Sequence, residues 1–130
     1  MLSSPYDKYR QSSVQTSTPA QLVMMLYDGA IRFAKTAIEG LNKQDLEKSN
    51  LNFGKAQTIL SELMSTLDFK YEVSKNLYSL YEYTNHLLVE ANIHKSVDKA
   101  QEAIGYLVDL RETWLQASKL AASQTEIANG

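Results

Sequence analysis

His86, Glu90 and His94 stand at i, i+4 and i+8, so on a helix they share one face. Two imidazoles and a carboxylate in such a row can hold a divalent metal weakly. A built site needs a further strong ligand and a shell of hydrogen-bonding groups behind it. Nothing beside this row supplies either. A di-iron bundle would need Glu-x-x-His pairs on two helices. Here Glu82–His86 and Glu90–His94 are spaced by four, and both fall on one segment. The ordinary reading of the row is a solvated helix face.

"NHLLVEA" around His86 has some likeness to the phosphotransfer histidine of four-helix signalling domains. The lysine-glycine pair expected shortly after that histidine is absent. The chain has no cysteine, which excludes disulfides, thiolate catalysis and zinc-thiolate sites. There is no Walker loop, no Gly-rich nucleotide turn and no G-x-S-x-G. Asp28 and Arg32 form an i, i+4 pair that supports a helix. No catalytic constellation survives, so the reading is a non-enzyme with no metal and no cofactor.

Two positions stand out for other reasons. Arg111 falls inside an apolar arc, so its guanidinium needs a carboxylate, a helix C-terminal carbonyl or a route to water. We read it as a structural charge. Gly29 sits inside the helical stretch "TPAQLVMMLYDGAIRFAKTAI", where glycine costs about 1 kcal/mol against alanine. Thr36 and Gly40 continue its line along the helix. Gly29 and Gly40 are expected to form a packing notch, filled by a neighbouring helix or by the N-terminal segment.

These residues need helices to position them, and the chain supplies the signals. Thr18-Pro19-Ala20-Gln21 is an N-cap, a first-turn proline and a capping-box glutamine. "SPYD" from Ser4 repeats the scheme more weakly. Asn42 to Asp45 breaks the first long helix, and Asp45 can cap the next. Ser96 can cap a fourth helix, with Asp98 well placed in its first turn. No strand alternation persists. The elements expected are long helices at 19–41, 46–67, 73–94 and 97–120. Short links make neighbours antiparallel. The fold class is therefore all-α, an antiparallel four-helix bundle with a short N-terminal helix or segment packed on it. Residues 1–17 form that capping segment, 18–121 the bundle and 122–130 a flexible tail.

Formal net charge is −2 across 130 residues, so there is no basic surplus for nucleic acid. No stretch nears the ~18 apolar residues of a membrane span, and no signal-peptide run opens the chain. We expect a soluble, cytoplasmic protein. Eight tyrosines against three phenylalanines suit surfaces that are apolar yet wet.

The apolar surface exceeds what a simple bundle needs. The second helix reads Phe53, Ala56, Leu60, Leu63, Leu67, and the third Val73, Leu77, Leu80, Thr84, Leu87, Ala91. Both alternate three and four, the seam of left-handed packing. The first helix is apolar past half its circumference, which suits a central position. The fourth carries a core face of Ala100, Ala103, Leu107, Leu110, Trp114 and Ala117. Beside it runs a second row of Val97, Ile104, Val108 and Leu115. That row is either further core or a groove for a partner's amphipathic helix. On the third helix, Tyr81 and Leu88 form a wall beside such a groove, or seal the bundle edge, with Asn85 and Asn92 as polar contacts.

The ordered set of motifs resembles the flagellin-specific export chaperones of bacterial flagella, the FliS family. It starts with Tyr6, Tyr9, Val14 and Thr16. It runs through "TSTPAQLVMMLYDGAIRFAKTAI", "KAQTILSEL", Leu67-Asp68, "LYSLYEY" and "LLVEAN", and closes with "YLVDLRETW". Two features depart from the family pattern. The link "FKYEV" is not glycine-rich, and Ser96 stands where an aspartate cap is common. The resemblance implies a bundle that binds the disordered C-terminal segment of flagellin, which folds into helices as it wraps the chaperone. It also implies that premature polymerisation is prevented and that the loaded complex docks at the export gate. The N-terminal segment bearing Tyr6, Tyr9 and Val14 would act as a latch over the groove when flagellin is absent. A phosphotransfer bundle and an oligomerising helical adaptor are the competing classes, and a weak homodimer stays open.

Overall fold

The computed structural model describes residues 18–129, with side chains through Gln124. Four helices follow in order: α1 (Pro19–Asn42), α2 (Leu46–Ser65), α3 (Val73–His94) and α4 (Val97–Asn129). The described residues contain no strand. Each helix packs on its sequence neighbours, and α4 closes the ring against α1. This is the antiparallel four-helix bundle expected. Tyr6, Tyr9, Val14 and the segment that carries them lie outside the described residues.

The termini follow the local chemistry. Thr18 is extended, and its hydroxyl accepts from Gln21 N at 3.2 Å. Gln21 Oε1 accepts from Thr18 N at 3.0 Å, completing the capping box. α1 ends in a Schellman turn, with Gln44 N donating to Leu41 O (3.2 Å) and Asp45 N to Gly40 O (2.8 Å). Asp45 then caps α2 by accepting from Lys48 N at 3.1 Å. Ser96 caps α4 by accepting from Lys99 N at 3.2 Å.

The Schellman turn places Gln44 at φ 58, left-handed backbone that disfavours a side chain by about 1–2 kcal/mol. Gln44→Gly relieves that cost but gains unfolded-state entropy. We expect it to stabilise the bundle by about 0.5–1 kcal/mol, seen as a raised midpoint in urea unfolding.

Phe53, Ala56, Leu60 and Leu63 of α2 are fully buried on the expected seam. They meet the small face of α1, where Ala30, Ala34 and Ala37 are also fully buried. Two glycines bring these helices closer still. A Cβ on Gly29 would sit 2.9 Å from Ile59 Cδ1, and one on Gly40 only 2.7 Å from Ser49 N. α2 therefore fills the notch along its length.

Two expectations about helix faces need correction. On α3 the buried stripe is Ser74, Tyr81, Thr84, Leu87, Leu88 and Ala91, while Val73 and Leu80 are exposed. The seam is rotated one residue from the expected one. Tyr81 and Leu88, expected as walls beside a groove, are core residues. The reason is that Tyr81 can bury its ring and still satisfy its hydroxyl against Tyr27 (2.6 Å). Ser74 likewise donates inward to Asp68 O at 2.7 Å. The second correction concerns α4, which continues as helix through Asn129 rather than fraying near 120. The stretch past Trp114 spans about 22 Å at 1.5 Å per residue.

Candidate functional site

Antiparallel connection puts the start of α1, the end of α2, the start of α3 and the C-terminal part of α4 at one end of the bundle. The side chains there do not close over one another. They leave a cavity of about 480 Å3. Leu22 and Val23 of α1, Leu67 after α2, Leu77 of α3 and Trp114 of α4 give it apolar walls. Pro19 and Ala20, the first two residues of α1, also line it. Trp114 is held in place by donating from Nε1 to Ala20 O at 3.0 Å.

The polar lining is small and mostly satisfied. Thr66 Oγ1 donates to Leu63 O at 2.6 Å, and Ser74 Oγ to Asp68 O. Tyr81 lines the cavity from the inside, 2% exposed, with its hydroxyl 2.6 Å from that of Tyr27. The two rings meet at a tilted 54°. This contact crosses the bundle diagonal from α1 to α3. Burial pushes both phenols above their ordinary pKa, Tyr27 the more strongly, so both hydroxyls stay protonated as neutral hydrogen-bonding groups. The α2–α3 link adds exposed aromatic surface beside the cavity. Tyr71 and Val73 line it while more than half exposed, and Phe69 packs edge-on against Tyr78.

The residues expected to form a groove fall into three groups. Tyr81, Leu88 and Ile104 are buried in the core. Asn85, Asn92, Val97 and Leu115 are half-buried. Val108 is exposed. Asn92 Oδ1 accepts from Lys95 Nζ at 3.0 Å, and the same ammonium donates to Asn50 at 2.7 Å. Asn85 Oδ1 is buried with no hydrogen-bond partner among the described residues. Only Tyr81 of this set reaches the end cavity.

Arg111 of α4 pairs through Nε with Asp28 Oδ1 of α1, which raises the arginine pKa further above its ordinary value. Asp28, expected to serve Arg32 on its own helix, thus ties two helices together. Gly29 and Gly40 face α2, as described above. Glu90 and His94 pair with each other at 2.9 Å on an exposed face of α3. Among the described residues, no three His, Asp or Glu side chains gather as a metal ion would require. No described helix is long and apolar enough to cross a membrane.

The sequence reading missed the cavity's main walls. Leu67, Leu77 and Trp114 belong to the core stripes expected above, and Leu22 to the apolar arc of the first helix. The available signal was topological, since those four positions all lie toward one end of the bundle. A stripe that runs past its partners' last turn leaves apolar side chains uncovered.

Fold and site together define a small all-α bundle with an open apolar cavity at one end. The family model of the flagellar protein FliS matches residues 2–121. The chain is 39% identical over 116 residues to the flagellar secretion chaperone FliS of Bacillus subtilis, covering 89% of this chain and 87% of that one. It is 32% identical over 111 residues to its counterpart in Campylobacter jejuni, covering 84% and 87%. The same protein of Salmonella typhimurium is 32% identical over 117 residues, covering 88% and 87%. The chain belongs to the FliS family of flagellar secretion chaperones.

Proposed function

We propose that this protein binds the C-terminal segment of flagellin in the cytoplasm, prevents its premature polymerisation and delivers it to the flagellar export gate. On this reading it is a holding chaperone and not an enzyme. The observation that carries the proposal is family membership over nearly the whole chain, on a bundle with uncovered apolar surface. A disordered client that folds on binding needs such surface to offset its lost chain entropy. The end cavity and the outward part of the α4 row, Val108 and Leu115, supply it. A titration of the full chain with the cognate flagellin's C-terminal segment tests the proposal.

The N-terminal segment belongs to the same reading. Residues 1–17 join the bundle at Thr18, immediately before two residues that line the cavity. We assign them as a latch that covers the cavity until the client arrives. Deleting residues 1–17 is then expected to raise the fluorescence of an apolar-surface dye and to promote self-association. Unchanged dye binding with an unchanged elution volume would remove the latch from the account.

A further inference from the structure

α3 carries a second apolar stripe that the bundle leaves half uncovered. Val73, Leu77, Leu80, Thr84, Leu87 and Ala91 recur at the three-four spacing that receives a partner helix. Thr84, Leu87 and Ala91 are buried in the bundle. Val73 and Leu80, at the start of the same stripe, are 59% and 38% exposed. Single exposed aliphatic residues are ordinary on a protein surface. These two stand in register along a helix seam, beside the exposed aromatic residues of the α2–α3 link. The stripe changes character at one contact. Tyr83 meets Tyr106 of α4 edge-on, with ring centroids 5.7 Å apart and planes at 82°. Its hydroxyl donates to Glu102 Oε1 at 3.2 Å. Antiparallel packing from this contact sets Leu110, one turn beyond Tyr106, near the level of Leu80. Leu110 is half-buried. The tyrosine pair thus bounds one end of an apolar strip along α3 and α4. At its other end the strip runs into the cavity, because Val73 and Leu77 are among the cavity's lining residues. From Val73 to Tyr83 it spans about 15 Å at 1.5 Å per residue, close to three helical turns.

We infer that this strip seats one amphipathic helix of the client, about three turns long, with one end at the cavity and the other against the Tyr83–Tyr106 pair. The inference rests on the proposed function above and gives one part of the client a place on the bundle. The spacing selects a helix. Three-four alternation on α3 matches apolar side chains at i, i+3 or i+4, and i+7 of a facing helix, whereas an extended segment presents its side chains at period two. Continuity with the cavity selects the client over a second copy of this chain. A two-fold pair would set strip against strip, and that contact supplies nothing to fill the cavity beside it.

The test uses the full chain and calorimetry with the cognate flagellin's C-terminal peptide. Leu80→Glu and Val73→Glu alter exposed side chains, so urea midpoints and elution volumes should match wild type. Each is expected to weaken peptide binding about ten-fold or more, because the bound helix would bury an unpaired carboxylate. Ile93→Glu, at an exposed apolar position near the other end of α3, is the control and should bind as wild type does. A second readout does not depend on a buried charge. The chain has no cysteine, so Leu80→Cys carries a single environment-sensitive dye. Its emission should shift to the blue on addition of peptide, while the same dye on Ile93→Cys should not respond. If a Glu variant loses stability, the dye decides, and an unshifted dye on Leu80→Cys with bound peptide overturns the inference. Wild-type binding that Leu80→Glu and Val73→Glu leave equally tight overturns the strip while the proposed function stands. No binding by wild type overturns both. Equal losses in all three Glu variants overturn the assignment to this strip. A wild-type dimer that Leu80→Glu dissociates, with peptide binding intact, gives the strip to a second copy and overturns the choice of client.

Discussion

Gly40→Ala is expected to destabilise the bundle by about 2–3 kcal/mol, the cost of overpacking a site that has no room to relax. The added Cβ would lie 2.7 Å from Ser49 N, 2.9 Å from Asp45 O and 3.1 Å from Ser49 Cα. All three atoms are backbone, fixed by the Schellman turn and by the cap of α2. They cannot step aside as a side chain would. The helix propensity of alanine returns about 1 kcal/mol, which is less than the clash costs. Gly29→Ala is the informative contrast. There the Cβ meets only Ile59 Cδ1, the far end of a flexible side chain, at 2.9 Å. Rotation of Ile59 relieves the contact, and propensity offsets the remainder. The expected change is within about 1 kcal/mol of zero. Urea unfolding with an unchanged m-value measures both. Equal losses for the two glycines would mean that α1 and α2 do not approach as described.

Tyr81→Ala is expected to cost about 3–5 kcal/mol, in the range of a large aromatic removed from a core. Tyr81 is 2% exposed, packs across the diagonal on Tyr27 and shares its hydroxyl with it. Truncation leaves a void and strands the hydroxyl of Tyr27. A tyrosine on an exposed groove wall would behave differently, since surface substitutions mostly fall within about 0.5 kcal/mol. Thermal or urea unfolding of this one variant therefore separates the rotated seam from the expected one. A small loss would restore Tyr81 to the surface.

The two glycines and Tyr81 also mark what the sequence made legible. The starts of α1, α2 and α4 followed from Thr18-Pro19, Asp45 and Ser96, because a cap is local chemistry written in adjacent residues. The α2 seam was legible for a different reason. Phe53, Ala56, Leu60 and Leu63 recur at three-four spacing with no polar residue among them, and Ile59 and Met64 widen the same face. On α3 two stripes fit equally well. Both share Leu77, Thr84, Leu87 and Ala91. One adds Val73 and Leu80, the other Ser74, Tyr81 and Leu88. Apolarity favours the first. The fold selects the second, because Tyr27 and the Asp68 carbonyl wait inside for the two hydroxyls. Tyr27 is 54 residues from Tyr81 and Asp68 lies in the link before α3, so the periodicity of α3 alone had no access to them. Likewise Asp28 found Arg111 across the bundle, a contact 83 residues apart. The notch at Gly29 and Gly40 was readable as a notch, while its filler, α2, needed the packing. The end cavity was least legible of all. It arises where four helices end at one level and depends on none of them singly.

The proposed function requires one interaction, that between this bundle and the flagellin C-terminal segment. Calorimetric titration of that segment into the full chain, followed by circular dichroism of the mixture, measures it directly. The expected result is one segment per chain with a Kd of about 1 μM or tighter, roughly −8 kcal/mol. Helical signal should exceed the sum of the separate components, because the segment folds as it binds. A titration with no heat and no gain in helix, using the cognate flagellin, would contradict the account.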